Sequence, residues 1–156
     1  MKKIIGLAAI LGILVTGCLK NDDVKPCTPK SVESEKTAME KYATDSSINV
    51  TTDATGVMYE IITPGTGATP AATSKVTAKY VGRFLNGQQF DASAQGVEFP
   101  LNGVISGWQI GIPKIKEGGV IKLIVPSSLA YGCTGYLSIP PDQPLYFYVE
   151  LVKVTN

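Results

Sequence analysis

Histidine is missing from all 156 residues. Its absence removes Ser-His-Asp and Cys-His catalysis and histidine-ligated metal sites together, so any chemistry here proceeds without imidazole. Charge of either sign is also scarce. There are 14 basic and 13 acidic residues, and Lys2 and Lys3 sit in a leader that export removes, leaving 12 basic against 13 acidic. A near-neutral chain without a basic stripe is a poor binder of nucleic acid, which is not expected as a partner. The one long apolar run, residues 4–15, has about twelve residues and is too short to span a membrane, which takes about twenty. Tryptophan occurs once, at Trp108, and cysteine three times, at Cys18, Cys27 and Cys133.

The basic start, the apolar run and the small residues after it make residues 1–17 an export signal. The junction Val15-Thr16-Gly17-Cys18 resembles a bacterial lipobox. That resemblance implies that Cys18 is acylated and becomes the first mature residue, with several acyl chains holding a membrane stably where one would not. The competing reading is an ordinary signal peptide followed by a chance cysteine. The expected product is exported and lipid-anchored to a bacterial membrane, the outer membrane first among the choices. Which leaflet it occupies stays open.

Residues 19–30 are polar, with two prolines and no periodicity, and read as a tether. Ser31 is placed to cap a helix running to about Thr44, with Glu33 and Glu35 in its first turn. This helix packs on the domain, binds a partner or is half-formed, and the pattern does not choose. Strand signals follow at 48–50, 57–62 and 76–85. Asn86-Gly87 is the strongest hairpin signal in the chain, and it folds 88–91 back on the strand before it. Counting outward from that turn sets Asp91 near Gly82 and close to Tyr80. Strands at 120–125 and 145–154 complete about five, and one short helix covers a face, giving an α+β fold. The length allows one main domain, at 55–156, after a tether and helix at 18–54.

The short helix belongs to residues 103–115. Ser106 is a plausible N-cap, and Val104, Ile105, Trp108 and Ile112 fall at the spacings of one helical face. Pro113 allows little beyond two turns, and a helix that short survives only against something larger. Trp108 is therefore either a plain core residue or the base of a site. The excursion at 126–144 is too long for a hairpin loop, and such loops in compact domains are usually functional. Two other motifs fail: Gly65-Thr66-Gly67 lacks the strand-then-helix context of a phosphate loop, and neither Ser127 nor Ser128 sits in a nucleophile elbow.

Together, Tyr80-Val81-Gly82, Asn86-Gly87, Phe90-Asp91-Ala92-Ser93, Val104-Ile105 before Gly107-Trp108, Gly118, Leu129-Ala130-Tyr131-Gly132, Ile139-Pro140-Pro141, and Phe147 before Val149-Glu150-Leu151 resemble the FKBP-type peptidyl-prolyl isomerases in order and nearly in spacing. The resemblance covers about residues 56–154. It implies a five-stranded antiparallel sheet wrapped around the short helix, with a shallow pocket between them. Trp108 becomes the pocket floor, with Tyr80, Phe90, Val104, Ile105, Ile139 and Phe147 as walls and Asp91 and Tyr131 as the polar, catalytic edge. Val97 stands where the family usually has an aromatic, and the loop tip at 136–138 is one residue shorter than in the best-known members. The implied partners are proline-containing unfolded or partly folded polypeptides, with macrolides as inhibitors. No metal or cofactor is implied.

Such a pocket needs no nucleophile. Amide resonance gives the peptide bond a rotational barrier of about 18–20 kcal/mol. Water favours the charge-separated form, so a dry aromatic cup shaped for a twisted amide lowers the barrier. A thousandfold acceleration takes about 4 kcal/mol. Tyr131 is the candidate donor to the carbonyl before proline, and Asp91 either fixes Tyr80 or acts on the twisting amide directly. The rival function is a non-catalytic binding module that uses the same pocket to hold extended chains. With Cys18 consumed by acylation, Cys27 and Cys133 form an even pair in a disulfide-permitting compartment. Either they bond, or Cys133 is a small buried filler and Cys27 an idle thiol.

Overall fold

The computed structural model describes residues 26–155; the leader, Cys18 and the start of the tether lie outside the described residues. Helix α1 (Val32–Asp45) is followed by strands β1 (Thr51–Thr52), β2 (Met58–Thr63), β3 (Lys75–Phe84) and β4 (Gln89–Pro100), helix α2 (Ser106–Gly111), and strands β5 (Val120–Val125) and β6 (Leu145–Thr155). All pairings are antiparallel and give one six-stranded sheet in the order β1-β2-β5-β6-β3-β4. The strand beyond the expected five is the two-residue β1. It lies at 51–52 because 48–50, which carry a strand signal, turn back on the helix: the Ile48 N–H donates to the Ala43 carbonyl at 2.8 Å. Strand β4 runs twelve residues, far past the Asp91 that ends its apolar signal. It is an edge strand paired only with β3, so its outward residues can be polar and hide it from a hydrophobic pattern.

Neighbouring residues of one strand belong to different cores. Leu123, Val125 and Phe147 pack in a large inner cluster with Trp108 and Ile112, whereas Ile124 packs in a second cluster with Met39, Ala43 and Ile48 of the helical segment. Because side chains alternate across a sheet, the clusters lie on opposite faces: α2 fills one and α1 covers the end of the other. Helix α1 starts as the sequence indicates. Ser31 caps it, its Oγ accepting the Ser34 N–H at 3.3 Å, and Glu35, Met39 and Ala43 form its buried stripe at four-residue spacing.

Helix α2 differs from expectation at its start and on its face. Ser106 lies inside it, Ile105 is the N-cap, and no side chain caps it. The Gln109 amide turns back instead to donate to the Val104 carbonyl at 2.7 Å. Its buried residues are Gly107, Trp108 and Gly111, while Val104 and Ile105 precede it. The glycines let the helix backbone approach β5 closely: a Cβ on Gly111 would come within 2.7 Å of Leu123. A short turn of 3₁₀ helix containing Pro113 then ends the segment. There Lys114 meets the Asp53 carboxylate at 3.2 Å and lies over the Tyr59 ring, tying the helix end to β2 and to the loop that precedes it.

Candidate active site

A cavity of about 410 Å³ is lined jointly by β3, β4, α2, β6 and the 126–144 loop. Trp108 is its base, buried to 5% exposure. Tyr80 meets the indole edge-on at 5.2 Å between centroids and Phe147 does so at 5.3 Å, while Phe99 leans on it at 5.4 Å. Such rings gain from their edge-to-face geometry as well as from area buried. Phe90 packs edge-on to Phe147 at 5.7 Å, in space that exists because residue 82 is glycine: a Cβ there would come within 2.6 Å of the Phe90 ring. Val104 and Ile105 line the cavity from the chain entering α2, and Val97, 42% exposed, stands on its lip.

The polar edge follows from hairpin register. The Asn86-Gly87 turn pairs Asp91 with Gly82, and Tyr80, two residues along β3, projects to the same side. The Tyr80 hydroxyl donates to Asp91 Oδ2 at 2.6 Å, and the Ala92 N–H donates to Oδ1 at 2.8 Å. Burial pushes the Tyr80 phenol well above the usual tyrosine range, and its bond to the Asp91 carboxylate pushes the same way. Burial raises Tyr131 too, helped by Tyr136 and the charge of Asp91. Both phenols stay protonated and able to donate at neutral pH. Tyr80 already spends its proton on Asp91, whereas among the described residues the Tyr131 hydroxyl makes no hydrogen bond. Tyr131 is held instead by its ring, stacked on Tyr136 at 5.1 Å and 10°.

One expected wall residue is elsewhere. Ile139, 7% exposed, packs into the inner core and does not line the cavity. Its backbone exchanges hydrogen bonds with Tyr136, which occupies the rim in its place at 55% exposure. Phe99 and Gly103 also line the cavity without having been singled out. Phe99 follows Val97 by two residues, a strand-period signal that becomes visible only once β4 is carried past Asp91. A groove of about 480 Å³ lies between α1, the β3–β4 turn and residues 140–144, but its lining is mainly polar and proline residues with a single aromatic, Phe84. The aromatic cavity has the apolar walls with a few convergent polar groups that mark a binding site.

The model of the FKBP-type peptidyl-prolyl cis-trans isomerase domain matches residues 67–152. The chain belongs to this family. It is 40% identical over 118 residues to the FKBP-type peptidyl-prolyl cis-trans isomerase FkpA of Escherichia coli, covering 74% of this chain and 43% of that one. To the peptidyl-prolyl cis-trans isomerase Mip of Coxiella burnetii it is 37% identical over 125 residues, covering 78% and 54%. The chain thus spans about half the length of the curated relatives it matches. Among solved structures, FkpA of E. coli superposes with a TM-score of 0.71 at 37% identity, over 79% of this chain and 60% of that one. A peptidyl-prolyl cis-trans isomerase of Pseudomonas syringae gives 0.69 at 35% identity, over 83% and 99%. The FKBP fold therefore frames the cavity, with Trp108 beneath it and Tyr131 and Asp91 at its edge.

Proposed function

We propose that this chain accelerates cis–trans rotation about X-Pro bonds in proteins folding in the bacterial cell envelope. The observation that carries the reading is the cavity itself: an indole floor ringed by Tyr80, Phe99 and Phe147, with two uncommitted phenols, Tyr131 and the more exposed Tyr136, at its rim. A proline ring seated on Trp108 takes its preceding amide out of water, which weakens the resonance that opposes rotation. Tyr131 donates to the carbonyl oxygen of the residue before proline, holding it while the bond twists. Asp91 acts first by orienting Tyr80, whose hydroxyl it accepts at 2.6 Å, and that keeps the wall beside the twisting amide rigid. No bond to the protein forms or breaks.

A protease-coupled assay on Xaa-Pro peptides tests the reading. Acceleration over the uncatalysed rate supports it; peptide binding without acceleration would leave only a module that holds extended chains. A macrolide that competes for the same cavity is expected to inhibit, and its affinity reports on Val97 at the lip.

The envelope setting rests on the leader at 1–17 and on the lipobox-like junction at Cys18. It gains support from the Cys27–Cys133 disulfide, since such bonds persist in oxidising compartments. Metabolic labelling with a fatty acid is expected to mark the protein and to fail in Cys18→Ser. A secreted, unlabelled wild-type protein would overturn the anchor.

A further inference from the structure

The segment before the domain reaches the loop that carries Tyr131 at two points. Glu35, on α1, is buried to 4% exposure, and its two carboxylate oxygens accept from Ser127, one from the backbone N–H at 2.8 Å and one from the hydroxyl at 2.6 Å. Ser127 in turn holds Tyr131 from both sides, because its carbonyl accepts the N–H of Ala130 at 3.0 Å and of Gly132 at 2.8 Å. Two residues past Tyr131, Cys133 is joined to Cys27, with Cα atoms 5.7 Å apart. The helix behind these contacts is itself fixed, since Met39 and Ala43 pack with Met58 and Ile124 on the sheet face opposite Trp108.

We propose that Glu35 and the Cys27–Cys133 bridge are positioning elements for the isomerase reaction, setting the Tyr131 hydroxyl over the pocket from a helix and the tether before it, both of which lie outside the pocket. This rests on the reading of the pocket as an isomerase site with Tyr131 as its donor. A reaction without a nucleophile depends on the placement of such groups, and errors near one ångström in a reacting group's position are costly in rate. Glu35 suits the task because a carboxylate grips a backbone N–H and a hydroxyl together, through charge-assisted bonds that water does not reach. The bridge restrains the other side of the same turn, so one flank of Tyr131 is tied to α1 and the other to the tether that leads into it.

The test uses the oxidised full chain and a Xaa-Pro peptide. Exchange NMR at saturating peptide gives kcat, and the fluorescence of Trp108 gives affinity. Glu35→Ala and the pair Cys27→Ser with Cys133→Ser are each expected to lower kcat about threefold to tenfold while peptide affinity stays within about twofold. Glu35→Gln keeps one acceptor for Ser127 and is expected to recover most of the rate. With Tyr131→Phe already in place, neither strap variant should lower the rate further. Unchanged kcat in the strap variants, or losses that simply multiply with that of Tyr131→Phe, would overturn the proposal while leaving the isomerase reading intact. A wild-type rate in Tyr131→Phe alone would remove Tyr131 from the mechanism and the proposal with it. Should Glu35→Ala fail to fold, the serine pair carries the test, because Cys27 lies in the exposed tether.

Discussion

Trp108 serves packing and binding at once. Its ring touches Tyr80, Phe99 and Phe147, so it joins α2, β3, β4 and β6, and its upper face is the cavity floor. Its Nε1 is buried with no acceptor among the described residues, a cost more readily tolerated at a functional site than in a plain core. Trp108→Ala is therefore expected to lose about 3–5 kcal/mol of stability and nearly all activity while the sheet remains assembled. Circular dichroism with the peptide assay checks this, and near-normal catalysis in a folded variant would refute the floor assignment. The tyrosines set the pH response. A phenol donates only while protonated, and burial raises both Tyr80 and Tyr131 above the ordinary value of 10.0, so their deprotonation moves to higher pH. With no histidine in the chain, kcat/KM is expected to stay flat from about pH 6 to 9 and to fall only as pH rises beyond the tyrosine range. An inflection near neutrality would point to a titrating group outside this site.

Secondary-structure elements were legible where local chemistry alone decides them. Asn86-Gly87 announces its hairpin because few other dipeptides accept that turn, and register then brings Asp91 to Gly82 without further information. Ser31 and the acidic first turn announce α1 in the same way. What stays hidden is decided by contact. The buried face of α2 contains Gly107 and Gly111, which no hydrophobic pattern marks, because closeness to β5 matters there more than apolar area. The fate of Ile139 depends on how its backbone pairs with Tyr136 inside an irregular loop, and loops have no period to read. Helix α1 shows the same limit, since its sequence predicts a helix but not its berth. That berth is the outer face of the sheet, where Met39 is fully buried against Met58 and Ile124. Met39→Ala is expected to lower unfolding free energy by about 2–5 kcal/mol, as a core truncation does. A denaturant titration within about 0.5 kcal/mol of wild type would mean that the helix is only loosely docked in solution.

Across the described residues, one covalent tie joins the tether to the long loop that carries Tyr131. The bond from Cys27 to Cys133 spans 106 residues of chain, from the tether before α1 to the loop after β5, so it encloses both helices and all but the last strand. A link that long acts chiefly on the unfolded chain, whose freedom it restricts, and it can contribute up to about 4.7 kcal/mol. This effect is separate from any placement of Tyr131, because it comes from states in which the pocket does not exist. The two are therefore distinguishable by what each measurement reads. Reducing the bond is expected to lower the denaturant midpoint and to raise the slope of the unfolding transition, since the released chain exposes more surface when it unfolds. Thiol labelling of the unreduced mature protein under denaturing conditions should find neither Cys27 nor Cys133 reactive, and labelling after reduction should find both. Two reactive thiols per chain before reduction would show that the bond does not form in the protein as made, and the stability difference on adding reductant should then vanish with it.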